Sequence, residues 1–418
     1  MNCIRKVYAA LFLAMSVLLT QTPGFAKSPE KTYPIGCIVN PADPLMTSDI
    51  CKSIKESGMN FIIPPSDFTS NEQLNDKMLE SAKTAKLKVF IQDPRILSSI
   101  TTSPNGDKTL NTLLSDYSHY SNLLGYCLSN VPAPAQYGAL AAAVRYLTIK
   151  DPKRLVFINL ASDDYSPESI GTDTFDEYLS QYWRAVHPPV LCNSHFYFLR
   201  DGEKTGFYGN LISMQHAWKD SYIPFWQIIQ LSPDATHPEL TESQILWEVM
   251  QSLTYGAQGI IYNGCWPFKG QGGDWGPGIF DDKGNKTLQY AMVQKVNAEA
   301  QMMGKYLVDS APVTSFQNGE PDSDALGPQP NLPVSFADQA AVNAGLFRAD
   351  THLYVIISNR SWTQPVKTTA LFYLYNNKPQ YLDKKTDKWV FIPVHKDENG
   401  NQHVEVNLAP GDAEIFRW

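Results

Sequence analysis

The chain has 418 residues and a formal net charge of −8, with no basic stripe, which excludes nucleic acid as a natural partner. Its 43% hydrophobic content is enough for one large core and a second small one. Aromatic residues make up 12%, with 9 Trp and 21 Tyr, so flat amphipathic faces are on hand for ligand rings as well as for packing.

Arg5 and Lys6 precede an apolar run from Val7 to Leu19 that ends in Gly24, Phe25 and Ala26. The pattern predicts a signal peptide over 1–26, cleaved near Ala26, and therefore a secreted or periplasmic protein. No later run has the length of a bilayer span, so the mature chain is expected to hold no integral membrane segment. Without Cys3 there remain Cys37, Cys51, Cys127, Cys192 and Cys265, an odd number with no C-x-x-C spacing. That is neither a disulfide framework nor a zinc signature. The expected role of Cys37, Cys127, Cys192 and Cys265 is apolar packing in or beside strands, with Cys51 as a candidate partner for Cys37.

From Tyr33 short apolar runs alternate with longer amphipathic stretches, the signal of parallel βα units. The strands are expected at Ile35 to Val39, Phe61 to Ile63, Val89 to Ile91, Leu124 to Leu128, Leu155 to Asn159, Val190 to Cys192, Phe225 to Gln230 and Gly259 to Tyr262. Continuous apolar runs of this kind suit a sheet covered on both sides, which predicts an α/β fold, a (β/α)8 TIM-type barrel, over 27–312. Thr174 with Glu177, and Thr241 with Gln244, fit the capping box, and Pro134 suits a first helical turn. The Pro-, Asp- and Gly-rich stretch that follows reads as a linker over 313–333. A small antiparallel, sandwich-like β-domain is then expected over 334–418, with strands such as Leu353 to Ser358, Leu371 to Tyr375, Trp389 to Ile392 and Glu414 to Arg417.

The active face of such a barrel is the carboxyl end of its strands. The residues there include Asn130, Asp67, Asp93, the Asp163-Asp164 pair, Ser194 with His195, Gln230 and Asn263. They suit sugar hydroxyls, with Trp226, Trp266 and Trp275 as candidate stacking platforms. The loop from Trp266 to Gly278 fails the Gly-x-Gly-x-x-Gly spacing and reads either as a lid over the mouth or as a set of irregular turns. Glycoside hydrolysis needs two carboxyl groups about the scissile bond, for which Asp67, Asp93 and Asp163 are the catalytic candidates, each with a competing role as a turn or cap. There is no Gly-x-Ser-x-Gly elbow, no His-Glu-x-x-His and no Walker motif, so neither a cofactor nor a metal is expected.

The stretches Gly125-Tyr-Cys-Leu-Ser-Asn-Val-Pro132, Pro152-Lys-Arg-Leu-Val-Phe-Ile-Asn159, Pro224-Phe-Trp-Gln-Ile-Ile-Gln230, Tyr255-Gly-Ala-Gln-Gly-Ile-Ile-Tyr262 and Leu408-Ala-Pro-Gly-Asp412 carry a resemblance in their order along the chain. The sequence resembles secreted (β/α)8 glycoside-hydrolase-like proteins and is distantly similar to the β-galactosidase superfamily. The resemblance implies an oligosaccharide or polysaccharide as partner. It also implies an Asp-Glu pair after the fourth strand, where this chain has Asn130 and Val131, neither able to deliver a proton. After the sixth strand Asn193, Ser194 and His195 stand where an acid is implied. A carbohydrate-binding barrel with its usual acid/base carboxylates replaced, its hydrolysis reduced, unusual or, as in a pseudoenzyme, absent, is the leading expectation. The rivals are an active O-glycosidase using rim carboxylates such as Asp67 and Asp93, and a protein-interaction scaffold.

Overall fold

The computed structural model describes residues 32–418 apart from 66–69, 103–105, 271–272, 309, 350–351, 374–377, 393–394, 397 and 399. The signal-peptide expectation over 1–26 and the candidate Asp67 lie outside the described residues.

Eight parallel strands form one sheet: β1 (Ile35–Ile38), β2 (Phe61–Ile63), β3 (Lys88–Ile91), β4 (Leu123–Asn130), β5 (Leu155–Asn159), β6 (Leu191–Ser194), β7 (Phe225–Ile229) and β8 (Ile260–Tyr262). Their order is β5-β4-β3-β2-β1-β8-β7-β6, and a single parallel bridge between Leu160 and Asn193 brings β5 back to β6, so the sheet is a nearly closed barrel. Each strand lies within about two residues of its expected place because burial on both faces forces an apolar run. Phe61, Phe90, Cys127, Phe157, Cys192, Trp226, Ile228 and Ile261 fill the interior, while Ile62, Val89, Tyr126, Phe225 and Ile229 pack outward against the helices. The barrel is thus a packed core, not a pore.

Helices cover the outside, among them α1 (Phe175–Val186), α2 (Phe207–Ser221), α3 (Glu242–Thr254) and α4 (Leu288–Gly304). At α3 the capping box forms as expected: Gln244 N–H donates to Thr241 Oγ1 at 3.4 Å, and Thr241 N–H to Gln244 Oε1 at 2.9 Å. At α1 only half of it forms. Thr174 Oγ1 accepts from Glu177 N–H at 3.2 Å, but the Glu177 carboxylate accepts from Asp173 N–H at 3.4 Å, one residue short of the cap.

The cysteine expectation is corrected. Cys37 on β1 is joined to Cys265, three residues past β8, and Cys51 is buried and free. The bond links the first strand to the last, which are neighbours in the barrel although 228 residues apart.

The chain then continues into two antiparallel sheets. One holds β9 (Ala311–Gln317), β11 (Val342–Ala349), β12 (His352–Asn359), β18 (Ala413–Arg417), β14 (Gln380–Asp383) and β15 (Lys388–Phe391), in that order; the other holds β10 (Val334–Phe336), β13 (Val366–Phe372), β17 (Gln402–Leu408) and β16 (His395–Lys396). Phe316, Val355 and Phe416 from the first sheet share a core with Ala370, Val404 and Val406 from the second. Within the stretch read as a linker, residues up to Gln317 form an edge strand paired with β11. The outer face of the larger sheet carries Phe347, Ile356 and Ile415 into the barrel's own core beside α2 and α3. Polar contacts fix the seam: Gln251 Nε2 donates to Asn359 O at 3.0 Å, Gln215 Nε2 to Ser315 Oγ at 2.8 Å, and Trp247 Nε1 to Arg360 O at 3.0 Å. Gly345 lies so close to α3 that a Cβ there would come within 1.7 Å of Thr254 O. Among the described residues no helix is long and apolar enough to cross a membrane.

Candidate functional site

Side chains alternate along a strand, so the inward series continues beyond the packed interior onto the carboxyl rim. After Phe157 comes Asn159, after Cys192 comes Ser194, after Ile228 comes Gln230, and after Ile261 comes Asn263. On β4 the register shifts between Cys127 and Ser129, which brings Asn130 level with Asn159. Asn159 Nδ2 donates to Asn130 Oδ1 at 2.7 Å, while Asn159 Oδ1 is buried and has no hydrogen-bond partner among the described residues. These five rim positions therefore present amides and a hydroxyl, and none of them is a carboxyl group.

Val131, next to Asn130, has φ 44° and donates its N–H to Asn159 O at 2.7 Å. A β-branched residue in the left-handed region is a genuine outlier, of a kind that costs about 1–3 kcal/mol and collects at functional sites.

The remaining sequence candidates divide by their partners. Asp93 is only 4% exposed and is held by Arg95, whose Nε and Nη2 donate to its two oxygens at 3.0 and 2.8 Å, and by the Tyr117 hydroxyl at 2.9 Å. Its oxygens are committed to organising the β3 turn. Trp226, 3% exposed, lies inside the barrel 5.3 Å from Phe61, and Trp266 is 2% exposed, so neither offers a face to a ligand. The alternation that puts Phe225, Gln227 and Ile229 outward already consigns Trp226 to the interior. Asn263 is a fastener, with Oδ1 accepting from Leu231 and Ser232 N–H, both at 2.8 Å. Gln230 is buried, its Nε2 donating to Pro238 O at 3.1 Å and its Oε1 unpaired among the described residues.

Trp275 is partly exposed. It sits on a short hairpin, Phe268–Gly270 paired with Gly273–Trp275, in the loop read either as a lid or as irregular turns. Its ring meets Phe196 edge-on at 5.9 Å and lies nearly parallel to His237 at 6.3 Å. Phe196, which packs on the top of the barrel interior, was not a sequence candidate; a lone Phe after a strand carries no signal that separates rim from core.

Asp163, Asp164 and His195 come together from the ends of β5 and β6, with one ligand atom of each within 4.8 Å of the others. His195 Nε2 is 3.4 Å from Asp163 Oδ1 without the alignment of a hydrogen bond. Burial pushes the Asp163 carboxyl up to about 7, helped by the Asp164 charge beside it. Burial likewise holds the His195 imidazole down to about 4, reinforced by the Lys204 ammonium. Burial also opposes ionisation of Asp164, but hydrogen bonds from Lys204 and Ser162 outweigh it and keep its pKa below the ordinary carboxylate value. Gly206, at φ 84°, makes room for this cluster, since a Cβ there would come within 2.5 Å of Asp163 Oδ2. Lys204 was missed in the sequence because it reaches Asp164 from a hairpin that no motif marks.

No protein-family model matches the chain, and no curated protein matches its sequence. Its fold is similar to that of solved glycoside hydrolases. A catalytic mutant of a GH42 β-galactosidase from G. stearothermophilus superposes with a TM-score of 0.60 at 9% identity, over 94% of this chain and 100% of that one. A β-galactosidase from Bacillus circulans sp. alkalophilus gives 0.59 at 8% identity, over 93% and 99%. At such identities the likeness establishes the architecture: a glycoside-hydrolase-like barrel with a C-terminal β-domain.

Proposed function

We propose that the chain is an exported carbohydrate-binding protein built on a glycoside-hydrolase barrel, with its hydrolytic acid lost. The observation that carries this reading is the Asn130–Asn159 amide pair at the ends of β4 and β5, beside the strained Val131. The backbone there keeps an unusual shape, while side chains able to donate a proton at neutral pH are missing from the position. The exposed Asn130 amide, held by Asn159, offers a polar group to sugar hydroxyls, and the Trp275 and Phe196 rings flank the mouth as apolar walls. The Cys37–Cys265 disulfide supports export to an oxidising compartment, in line with the signal-like N-terminus.

A second reading, a working O-glycosidase, is favoured by one observation. Asp93 is tied to Arg95 and Asp164 to Lys204, whereas Asp163 has neither an Arg nor a Lys partner among the described residues. A glycan-array screen of the mature chain, paired with an assay for reducing-sugar release from each bound glycan, separates the two. Binding without release is the expected result. Release that disappears in Asp163→Asn with the fold intact establishes the glycosidase instead, and absence of any glycan binding leaves the protein-interaction scaffold.

A further inference from the structure

We propose that Asp163, Asp164 and His195 form a binding site for a divalent transition-metal ion of the zinc type. The site lies on the carboxyl-end face, but the inference is independent of the carbohydrate reading.

The case starts from satisfaction. Buried polar atoms nearly always have partners, and those without one need a reason. His195 is 1% exposed; the Thr205 backbone approaches its ring, and neither ring nitrogen makes a well-aligned hydrogen bond among the described residues. Its Nε2 faces Asp163 Oδ1, a second buried atom without one, at 3.4 Å. Two buried atoms this close, neither with an aligned hydrogen bond, leave room for a cation shared between them when Nε2 is the unprotonated nitrogen.

The donor set narrows which cation. One imidazole and two carboxylates, with Asp164 on the exposed side, are three protein ligands with an open position toward solvent, the pattern that zinc takes where it also holds a water. Hard ions such as magnesium and calcium favour oxygen-only shells, which a buried imidazole disfavours. With both carboxylates ionised and Lys204 protonated the cluster carries one negative charge, so a divalent ion is welcome electrostatically. Lys204 holds an oxygen of Asp164 and must compete with the ion for it.

That competition supplies the test. The full mature chain is freed of metal with a chelator and titrated with zinc chloride by calorimetry at pH 7.5, and with cobalt(II) while its visible absorption is followed. One equivalent should bind, with a cobalt band showing nitrogen and oxygen ligation. Asp163→Asn should weaken binding by about 100-fold or more. Lys204→Met should tighten it by about tenfold, because a competing cation is gone, whereas a merely structural ion pair predicts no gain. Asp274→Asn, on the exposed hairpin, should leave it unchanged. Replacing buried His195 risks the fold, so Asp164→Asn, at an exposed group, serves as the second ligand variant and should also weaken binding. No stoichiometric uptake, or uptake indifferent to Asp163→Asn and Asp164→Asn with unchanged circular dichroism, overturns the proposal and assigns the unpaired atoms to a proton or a water.

Discussion

Asn159 donates from Nδ2 to Asn130 Oδ1 at 2.7 Å, joining the last residues of two adjacent barrel strands through their side chains. The bond orients both amides and leaves Asn159 Oδ1 as an unpaired buried acceptor at the mouth. If the mouth binds glycans, Asn159→Ala removes that acceptor together with the bond that fixes Asn130. The expected loss is about tenfold in affinity, the worth of roughly one hydrogen bond, read by calorimetry against the best ligand of the array screen. Unaltered affinity would move the binding face away from β4 and β5.

Gly345 meets α3 where a side chain has no room, its Cβ position being 1.7 Å from Thr254 O. Because the blocking atom belongs to helix backbone, relief requires the sheet and the helix to part. Gly345→Ala should destabilise the protein by about 3 kcal/mol, seen as a lower denaturant midpoint. A change below a few tenths of a kcal/mol would mean that the seam adjusts freely.

The Glu414 carboxyl, on β18, is pushed up to about 7, first by burial and opposed by the nearby Lys384 charge. A carboxyl raised in the folded state contributes stability that is complete below its unfolded value, near 4.5, and is lost as the pH rises through 7. Glu414→Gln cannot ionise. The difference in unfolding free energy between this variant and wild type should therefore move in the variant's favour between pH 4.5 and pH 7.5. A difference that stays constant over that window would show that Glu414 titrates alike in both states.

Cys37 and Cys265 close a span of 228 residues, long enough for the link to restrict the unfolded chain strongly. The double variant Cys37→Ser, Cys265→Ser should lose about 4 kcal/mol in an equilibrium denaturation run without reductant. Wild type in dithiothreitol should approach the same midpoint.

The barrel was legible in the sequence because strands buried on both faces must be apolar throughout, so each appears as a run bounded by polar residues. The last β-domain was less so. β11 and β17 escape the sequence reading, since half-buried strands tolerate polar residues on the open face, while the strand expected from Leu371 to Tyr375 overlaps the end of β13 and runs on outside the described residues. Asn130, Asp163 and His195 could be singled out by their places after strands, yet the approach of His195 to Asp163 depends on how two loops fold back, which spacing does not encode. The Cys37–Cys265 pair left no local trace either, because only the closure of the barrel makes the first and last strands neighbours. Trp226 shows the reverse case, a residue whose aromatic character suggested a ligand while its phase in β7 placed it inside.

The covalent link between the barrel's ends makes a ring that contains seven strands after the first and every loop of the carboxyl face that joins them. A protease that cuts one of those exposed loops therefore opens the ring without dividing the molecule. The nicked protein keeps its mass on a gel until reductant is added, and the two pieces stay registered side by side in the sheet. Damage to a single loop is thereby kept from becoming loss of the barrel.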